Sequence, residues 1–288
     1  MAKLSYSQNY INNKQLIEKL LMFVDFNLAD TIIEIGPGMG VITDELIQHN
    51  KEVVAVEADQ KLFSKLQKRY ATVKNLTLVN TDFLKYLLPE KPFVAVSNVP
   101  FNITANLIRK ITDEKSKLSV AYLIVQKEAA IKFVGAPYAH SPLLSHLLQI
   151  NFEIRCLMDI LRTNYSPRPR FDTTFLMIKR RENPIFDEPE AVQFKNFLVY
   201  IFERRKPQIK DALKSLMSNL QVKIILSNLN IPAGTEIKKI MFADWVKIFN
   251  TFVHHAPEKS KKIISGSYAK LLAEQLQLKK INRSRADT

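Results

Sequence analysis

The sequence predicts an α/β protein in two parts: a doubly wound, mostly parallel Rossmann-like sheet over residues 1–181, then a small all-helical basic domain over residues 182–288. Three observations carry this. Short β-branched runs alternate with helix-length stretches through the first ~180 residues, the pattern that builds parallel strands with helices on both faces. Three of the six glycines fall within five residues directly after the first such run. Beyond residue 183 apolar residues recur at helical spacing and positive charge accumulates.

Candidate parallel strands cover 31–35, 52–57, 76–80, 93–98 and 120–125, with crossover helices over 44–49, 61–70 and 104–111. Two further extended runs, 152–158 and 173–179, lie close in sequence and are expected to pair antiparallel at one sheet edge. They bracket the segment Tyr165-Ser166-Pro167-Arg168-Pro169-Arg170. Pro184 and Pro189 punctuate a polar linker, after which Phe194, Phe197, Leu198, Ile201 and Phe202 mark a helix. From Pro257 onward one amphipathic helix and then a frayed tail are expected. No internal repeat is visible.

With 288 residues, 47% of them hydrophobic, the chain can bury a sizeable core. Its formal charge of +14 points to a polyanionic partner. Residues 201–288 hold 17 basic and 7 acidic side chains, against 25 and 21 in residues 1–200, so the excess sits in the C-terminal third. Cys156 is the lone cysteine, which excludes an intramolecular disulfide and suggests a reducing compartment. The five histidines show no metal-ligand spacing, so no metal is expected. A polar N-terminus and the lack of any apolar run of bilayer length predict a cytoplasmic protein that does not engage membranes. A monomer is expected.

The glycine run reads Glu34-Ile35-Gly36-Pro37-Gly38-Met39-Gly40. Glycines in a strand-to-helix turn admit positive φ and let a ligand approach the backbone closely. The run lacks both the last glycine spacing of the dinucleotide fingerprint and the Lys-Ser/Thr of a phosphate-cradling loop, so it suits a nucleoside cofactor, with NAD as the competing ligand. The second strand ends in Glu57, about 20 residues on, where a carboxylate can accept from both ribose hydroxyls. The third leads into Asp82, which can accept from an adenine amine while the Phe83 backbone returns a contact.

The fourth strand ends in Ser97-Asn98-Val99-Pro100-Phe101-Asn102. An adenine N6 amine is a poor nucleophile because its lone pair is delocalised into the ring. Two neutral acceptors, the Asn98 side-chain oxygen and a backbone carbonyl at Val99 or Pro100, can take both N–H groups and free the lone pair toward a methyl donor. Pro100 rigidifies the turn, and Phe101 offers a face for base stacking. Alignment and electrostatics then suffice for transfer from a sulfonium.

Ser7-Gln8-Asn9-Tyr10-Ile11, the Glu34–Gly40 loop, Glu57, Asp82 and Asn98-Val99-Pro100-Phe101, in this order, resemble the motifs of the rRNA adenine N6-methyltransferases, the Erm and KsgA/Dim-type enzymes. The resemblance spans about the first 180 residues. It implies a class I methyltransferase fold, S-adenosyl-L-methionine as cofactor and RNA as substrate. It further implies that Gln8, Asn9, Ile11, Gly36, Gly38, Glu57, Asp82, Phe83 and Asn98 contact the methyl donor. Asn98, Pro100 and Phe101 would hold the adenine, with Tyr165 as a second stacking face. Arg168 and Arg170, together with Arg204, Arg205 and Lys206, are the candidate RNA contacts.

The Tyr6-Ser7-Gln8-Asn9 opening and the run from Asn98 to Thr104 look nearer to Erm, which implies 23S rRNA as target and macrolide, lincosamide and streptogramin B resistance. Phe101 replaces the commoner tyrosine, and the basic tail past Pro257 has no counterpart in many relatives. The rival readings are KsgA/Dim-type dimethylation of 16S rRNA, a DNA adenine methyltransferase, and a non-catalytic RNA-binding relative of the same fold.

Overall fold

The structure, a computed structural model, describes residues 10–11, 13–136 and 142–286. It divides into two compact units, residues 1–131 with 152–181, and residues 132–151 with 182–288.

The first unit contains β1 (Tyr10–Ile11), α1 (Lys14–Leu21), β2 (Thr31–Ile35), α2 (Val41–Leu46), β3 (Glu52–Glu57), α3 (Gln60–Arg69), β4 (Leu76–Asn80), β5 (Phe93–Asn98), α4 (Thr104–Ile111) and β6 (Leu118–Gln126). α5 (Lys127–Val134) and α6 (Leu143–Asn151) follow, and the sheet resumes with β7 (Phe152–Ile160), β8 (Tyr165–Ser166) and β9 (Thr173–Arg180). The seven-stranded order is β4-β3-β2-β5-β6-β9-β7. The first five strands in this order run parallel, while β9 pairs antiparallel with both β6 and β7. The expected antiparallel edge is therefore present, with the later strand inserted between the earlier one and β6. The central strands are buried along nearly their whole length, as in Ile32, Val94 and Val120, because helices cover both faces.

The strand order reverses between the parallel neighbours β2 and β5, whose onward connections lead to opposite sides of the sheet, so the C-terminal ends of β2, β3 and β5 flank one crevice. The second sheet is a two-residue pairing, Tyr10↔Ser166 and Ile11↔Tyr165, which ties the start of the described chain beside this edge. The helix expected over 44–49 begins three residues earlier, at Val41, because Gly40 takes the N-cap position with φ 84°.

The second unit is helical: α7 (Glu188–Glu203), α8 (Ile209–Leu213), α9 (Asn219–Asn228), α10 (Phe242–His255), α11 (Glu258–Ile264) and α12 (Ser267–Ala286), joined by α6. Its core is aromatic, with Phe194, Phe197, Trp245, Phe249 and Phe252 all fully buried. Two expectations are corrected here. The division at 181/182 assigned 132–151 to the sheet domain, yet Ile150 of α6 is buried in the helical core with Leu143 and Leu147 packed against it, so burial of that face decides its unit. The single amphipathic helix after Pro257 is two helices, broken where Gly266 adopts φ 80°, and the second stays helical to Ala286 rather than fraying. No helix among the described residues is long and apolar enough to cross a membrane.

Candidate active site

The turn after β2 is built by positive φ at Gly36, Gly38 and Gly40 (69°, 59° and 84°). Gly36 extends the sheet by donating to the Val56 carbonyl at 2.9 Å, and a Cβ there would meet nothing within 4 Å. That opening is where a ligand can lie against the backbone. Gly40 is closed instead: a Cβ would stand 2.4 Å from the Tyr70 hydroxyl. Tyr70, just past α3, sits 3.0 Å from the Gly40 carbonyl and 2.8 Å from Asp44 Oδ1. Arg69 donates to the Met39 carbonyl at 2.9 Å and pairs with Asp44. α3 thereby clamps the turn from behind.

Glu57, at the end of β3, is 3% exposed. Its Oε2 accepts from the Gly38 N–H at 3.0 Å and its Oε1 from the Asp59 N–H at 2.9 Å. Burial raises its pKa and these two backbone donors oppose the rise. Each carboxylate oxygen keeps a further lone pair for a ligand hydroxyl. Beneath the turn, Glu34 is buried and accepts from the Thr43 hydroxyl at 2.6 Å, and burial pushes its pKa to about 8.

After β4, Asp82 Oδ1 accepts from the Leu84 N–H at 2.9 Å, turning the chain so that Phe83 is buried. Lys110 of α4 donates to the Phe83 carbonyl at 2.7 Å and to the Tyr86 carbonyl, with its ammonium 5.1 Å from the Phe83 ring centroid. Burial lowers the Lys110 pKa and Asp82 partly restores it.

At the end of β5 the Ser97 hydroxyl donates to the Ile35 carbonyl at 2.6 Å, locking this strand to β2 under the glycine turn. The Val99 N–H continues the ladder to Ile124 at 3.0 Å. The Pro100 carbonyl accepts from the Ile103 N–H at 3.1 Å and the Thr104 hydroxyl at 3.4 Å, closing the turn that starts α4. Asn98 and Phe101 are half-buried.

One cleft of about 250 Å³ brings these parts together. Gly36, Gly38, Glu57, Asp82 and Phe83 line one end, Asn98, Val99, Pro100 and Phe101 the other, and Ile11 also contributes. Gln8 and Asn9 lie outside the described residues. Tyr165, expected as a second stacking face, is not among the residues that line the cleft, although its strand partner Ile11 is. Its ring is 7% exposed among Ile11, Ile17 and Ile160, its hydroxyl lies 2.6 Å from that of Thr173, and burial pushes its pKa up to about 12. Arg168 and Arg170 are exposed on the β8–β9 loop. Arg204, Arg205 and Lys206 are exposed in the second unit, with Arg204 5.1 Å from the Tyr200 ring centroid. Among the described residues no His, Cys, Asp and Glu cluster could hold a metal ion.

Tyr70 and Lys110 were not legible as site residues, since each reaches its partner across more than 20 residues of chain. Ser97 is adjacent to the tetrapeptide, and its position could have suggested its role.

A cleft lined by the glycine turn, Glu57, Asp82 and Asn98–Phe101, set at the reversal of a seven-stranded sheet, is the arrangement expected of an α/β methyltransferase. Comparison with known proteins agrees. A model of the ribosomal RNA adenine dimethylase family matches residues 1–254. The chain is 26% identical over 260 residues to an rRNA adenine N-6-methyltransferase of Bacillus licheniformis, covering 88% of this chain and 90% of that protein. It is 28% identical over 259 residues to a ribosomal RNA small subunit methyltransferase A of Fusobacterium nucleatum, covering 87% and 97%. The fold also matches the crystal structure of the 23S rRNA methyltransferase ErmE, with a TM-score of 0.79 at 22% identity over 85% of this chain and all of that one. The chain belongs to the ribosomal RNA adenine dimethylase family and is an rRNA adenine methyltransferase.

Proposed function

We propose that the chain methylates N6 of an adenine in 23S rRNA, with S-adenosylmethionine as donor, and that the modification confers resistance to macrolide, lincosamide and streptogramin B antibiotics. The observation that carries the catalytic part is the single cleft joining the glycine turn to Asn98–Phe101. The residues present fit the donor: the open face of Gly36 leaves room for it, Glu57 takes the ribose hydroxyls, and Asp82 takes the adenine amine. When bound, the donor supplies an electrophilic methyl group on a sulfonium.

The chain's own residues do the rest. Asn98 accepts one N–H of the extruded adenine through its side-chain oxygen. Because the Pro100 carbonyl is already engaged by Ile103 and Thr104, we assign the second acceptor to Val99 and leave Pro100 to hold the turn. Phe101 stacks on the base. Arg168 and Arg170 on the sheet unit, and Arg204, Arg205 and Lys206 on the helical unit, supply phosphate contacts.

The choice of 23S rRNA rests on the opening and tetrapeptide runs. The comparable identity to the small subunit methyltransferase A supports a second reading, dimethylation of 16S rRNA. Incubation with labelled donor and purified 23S and 16S rRNA, followed by mapping of the modified base, decides between them. The expected result is one labelled adenine in 23S rRNA and raised macrolide tolerance in a host expressing the chain. Label confined to 16S rRNA establishes the second reading, and no transfer to either overturns both. Asn98→Ala should cut kcat by about 10²–10³-fold, the cost of removing one preorganised hydrogen-bonding group from a reacting centre.

A further inference from the structure

The loop between β8 and β9 presents an aromatic ring that packing does not account for. Phe171 is 46% exposed, yet the backbone on either side of it is held. Arg162 donates through Nη1 to the Arg170 carbonyl at 3.3 Å and pairs through Nε with Asp172 at 3.0 Å. The Asp172 carbonyl accepts from the Lys127 N–H at 2.9 Å, which fixes the loop to the end of β6. A fixed backbone that holds a phenylalanine in water forgoes the stabilisation its burial would return. Two cationic side chains precede the ring, Arg168 and Arg170, both exposed, while Asp172 after it is paired with Arg162. Tyr165, the aromatic that the motif nominates, is meanwhile buried.

Topology places this loop beside the tetrapeptide. Asn98 registers with Ile124 on one side of β6, and Gln126 registers with Thr173 on the other. The β5 end and the β9 start therefore lie at the same sheet edge, two strand spacings or about 10 Å apart. A nucleotide next to an adenine held at Asn98 can reach that far.

We propose that Phe171 is an RNA-stacking platform that takes the base of a nucleotide flanking the target adenine, while Arg168 and Arg170 hold the adjoining phosphates. The assignment rests on the reading of RNA as substrate. An exposed ring beside exposed arginines fits unpaired RNA, whose splayed bases stack on aromatic and guanidinium planes. Such stacking tolerates any base because each has a π-face.

The test uses the full chain and a hairpin RNA whose unpaired loop carries an adenine next to 2-aminopurine. Wild type should bind it with quenching of the 2-aminopurine fluorescence. Phe171→Ala should raise the Kd and the KM for this RNA about tenfold and abolish the quenching, as expected for loss of one base–aromatic stack. The donor Kd and the kcat at saturating RNA should stay unchanged, and Phe171→Tyr should restore wild-type binding. A Phe171→Ala protein that binds and quenches like wild type overturns the assignment and leaves the ring to an apolar protein partner. The Kd needs no turnover, so wild type that binds without methyl transfer strikes the functional reading alone and leaves the stacking test intact.

Discussion

Glu34 in the sheet unit and His146 in the helical unit are both buried ionisable groups, and they are buried in opposite ways. Glu34 is 1% exposed beneath the glycine turn, with the Thr43 hydroxyl donating to it and the carboxylates of Glu57 and Asp44 nearby. His146 is fully buried between Phe202 and Trp245, with ring centroids 5.7 and 6.2 Å away, and neither of its ring nitrogens nor Trp245 Nε1 has a hydrogen-bond partner among the described residues. Both groups are held neutral by desolvation, which raises the acid to about 8 and lowers the base to about 4. Around the cleft the polar groups are gripped by backbone and serve the shape of a site. In the helical core they are tolerated inside an aromatic cluster and serve packing.

The sharpest way to break this contrast is pH. For His146 the folded pKa lies below the ordinary 6.5, so its stability contribution is complete above pH 6.5 and is lost as pH falls toward about 4, by up to roughly 3 kcal/mol. For Glu34 the folded pKa lies above the ordinary 4.5, so its contribution is complete below pH 4.5 and is lost as pH rises toward about 8, by up to roughly 5 kcal/mol. Between pH 4.5 and 6.5 the two groups pull stability in opposite directions. Urea unfolding at a series of pH values should show His146→Phe flattening the acid side and Glu34→Gln flattening the alkaline side, each relative to wild type. The single tryptophan, Trp245, reports the helical unit by its fluorescence. Variants with the same pH slopes as wild type would remove desolvation as the common cause.

A smaller effect distinguishes the open and closed faces of the glycine turn. Gly40→Ala combines positive φ with a Cβ 2.4 Å from the Tyr70 hydroxyl, and should cost about 2–3 kcal/mol of stability. Gly36→Ala meets only the backbone strain, about 1 kcal/mol, but fills the space where a ligand approaches and should weaken donor binding more than tenfold. Tyr70→Phe should relieve part of the Gly40→Ala cost and none of the Gly36→Ala cost. A double-mutant cycle in denaturant measures this. Equal coupling at both glycines would mean that the clamp by α3 does not distinguish the two faces.

The parts of the fold legible in the sequence are those fixed by local pattern. The bounds of β2, β3, β4, β5 and α4 coincide with the β-branched and apolar-periodic runs because each is flanked by its own turn residues. The glycine turn, Glu57, Asp82 and Asn98 were legible for the same reason, as strand ends in fixed order. What escaped depends on contacts distant in sequence. α6 interrupts the sheet in chain order yet buries Ile150 in the helical core, which no local signal announces. Tyr165 precedes a Ser-Pro turn and reads as exposed, but the two-residue pairing with Tyr10 and Ile11 buries it, and the exposed aromatic of that loop is Phe171.

Lys110 marks the finest distinction, because it is a partly desolvated cation that, unlike His146, keeps hydrogen-bond partners and clamps a loop as Tyr70 does, from a different helix. It sits two turns along the helix that starts at the tetrapeptide, and it grips the Phe83 and Tyr86 carbonyls of the segment after Asp82. The two ends of the cleft are thereby mechanically linked through α4. Lys110→Met keeps the stem and deletes the donor, at a cost of about 1 kcal/mol for the lost hydrogen bonds. If the link positions Asp82 and Phe83, the donor Kd should rise about fivefold while kcat at saturating donor holds, and Lys110→Arg should recover part of the affinity. Isothermal titration with the donor, read beside the kcat, separates this from general loosening: a fall in kcat without a change in donor Kd would place the role of Lys110 at the tetrapeptide end instead.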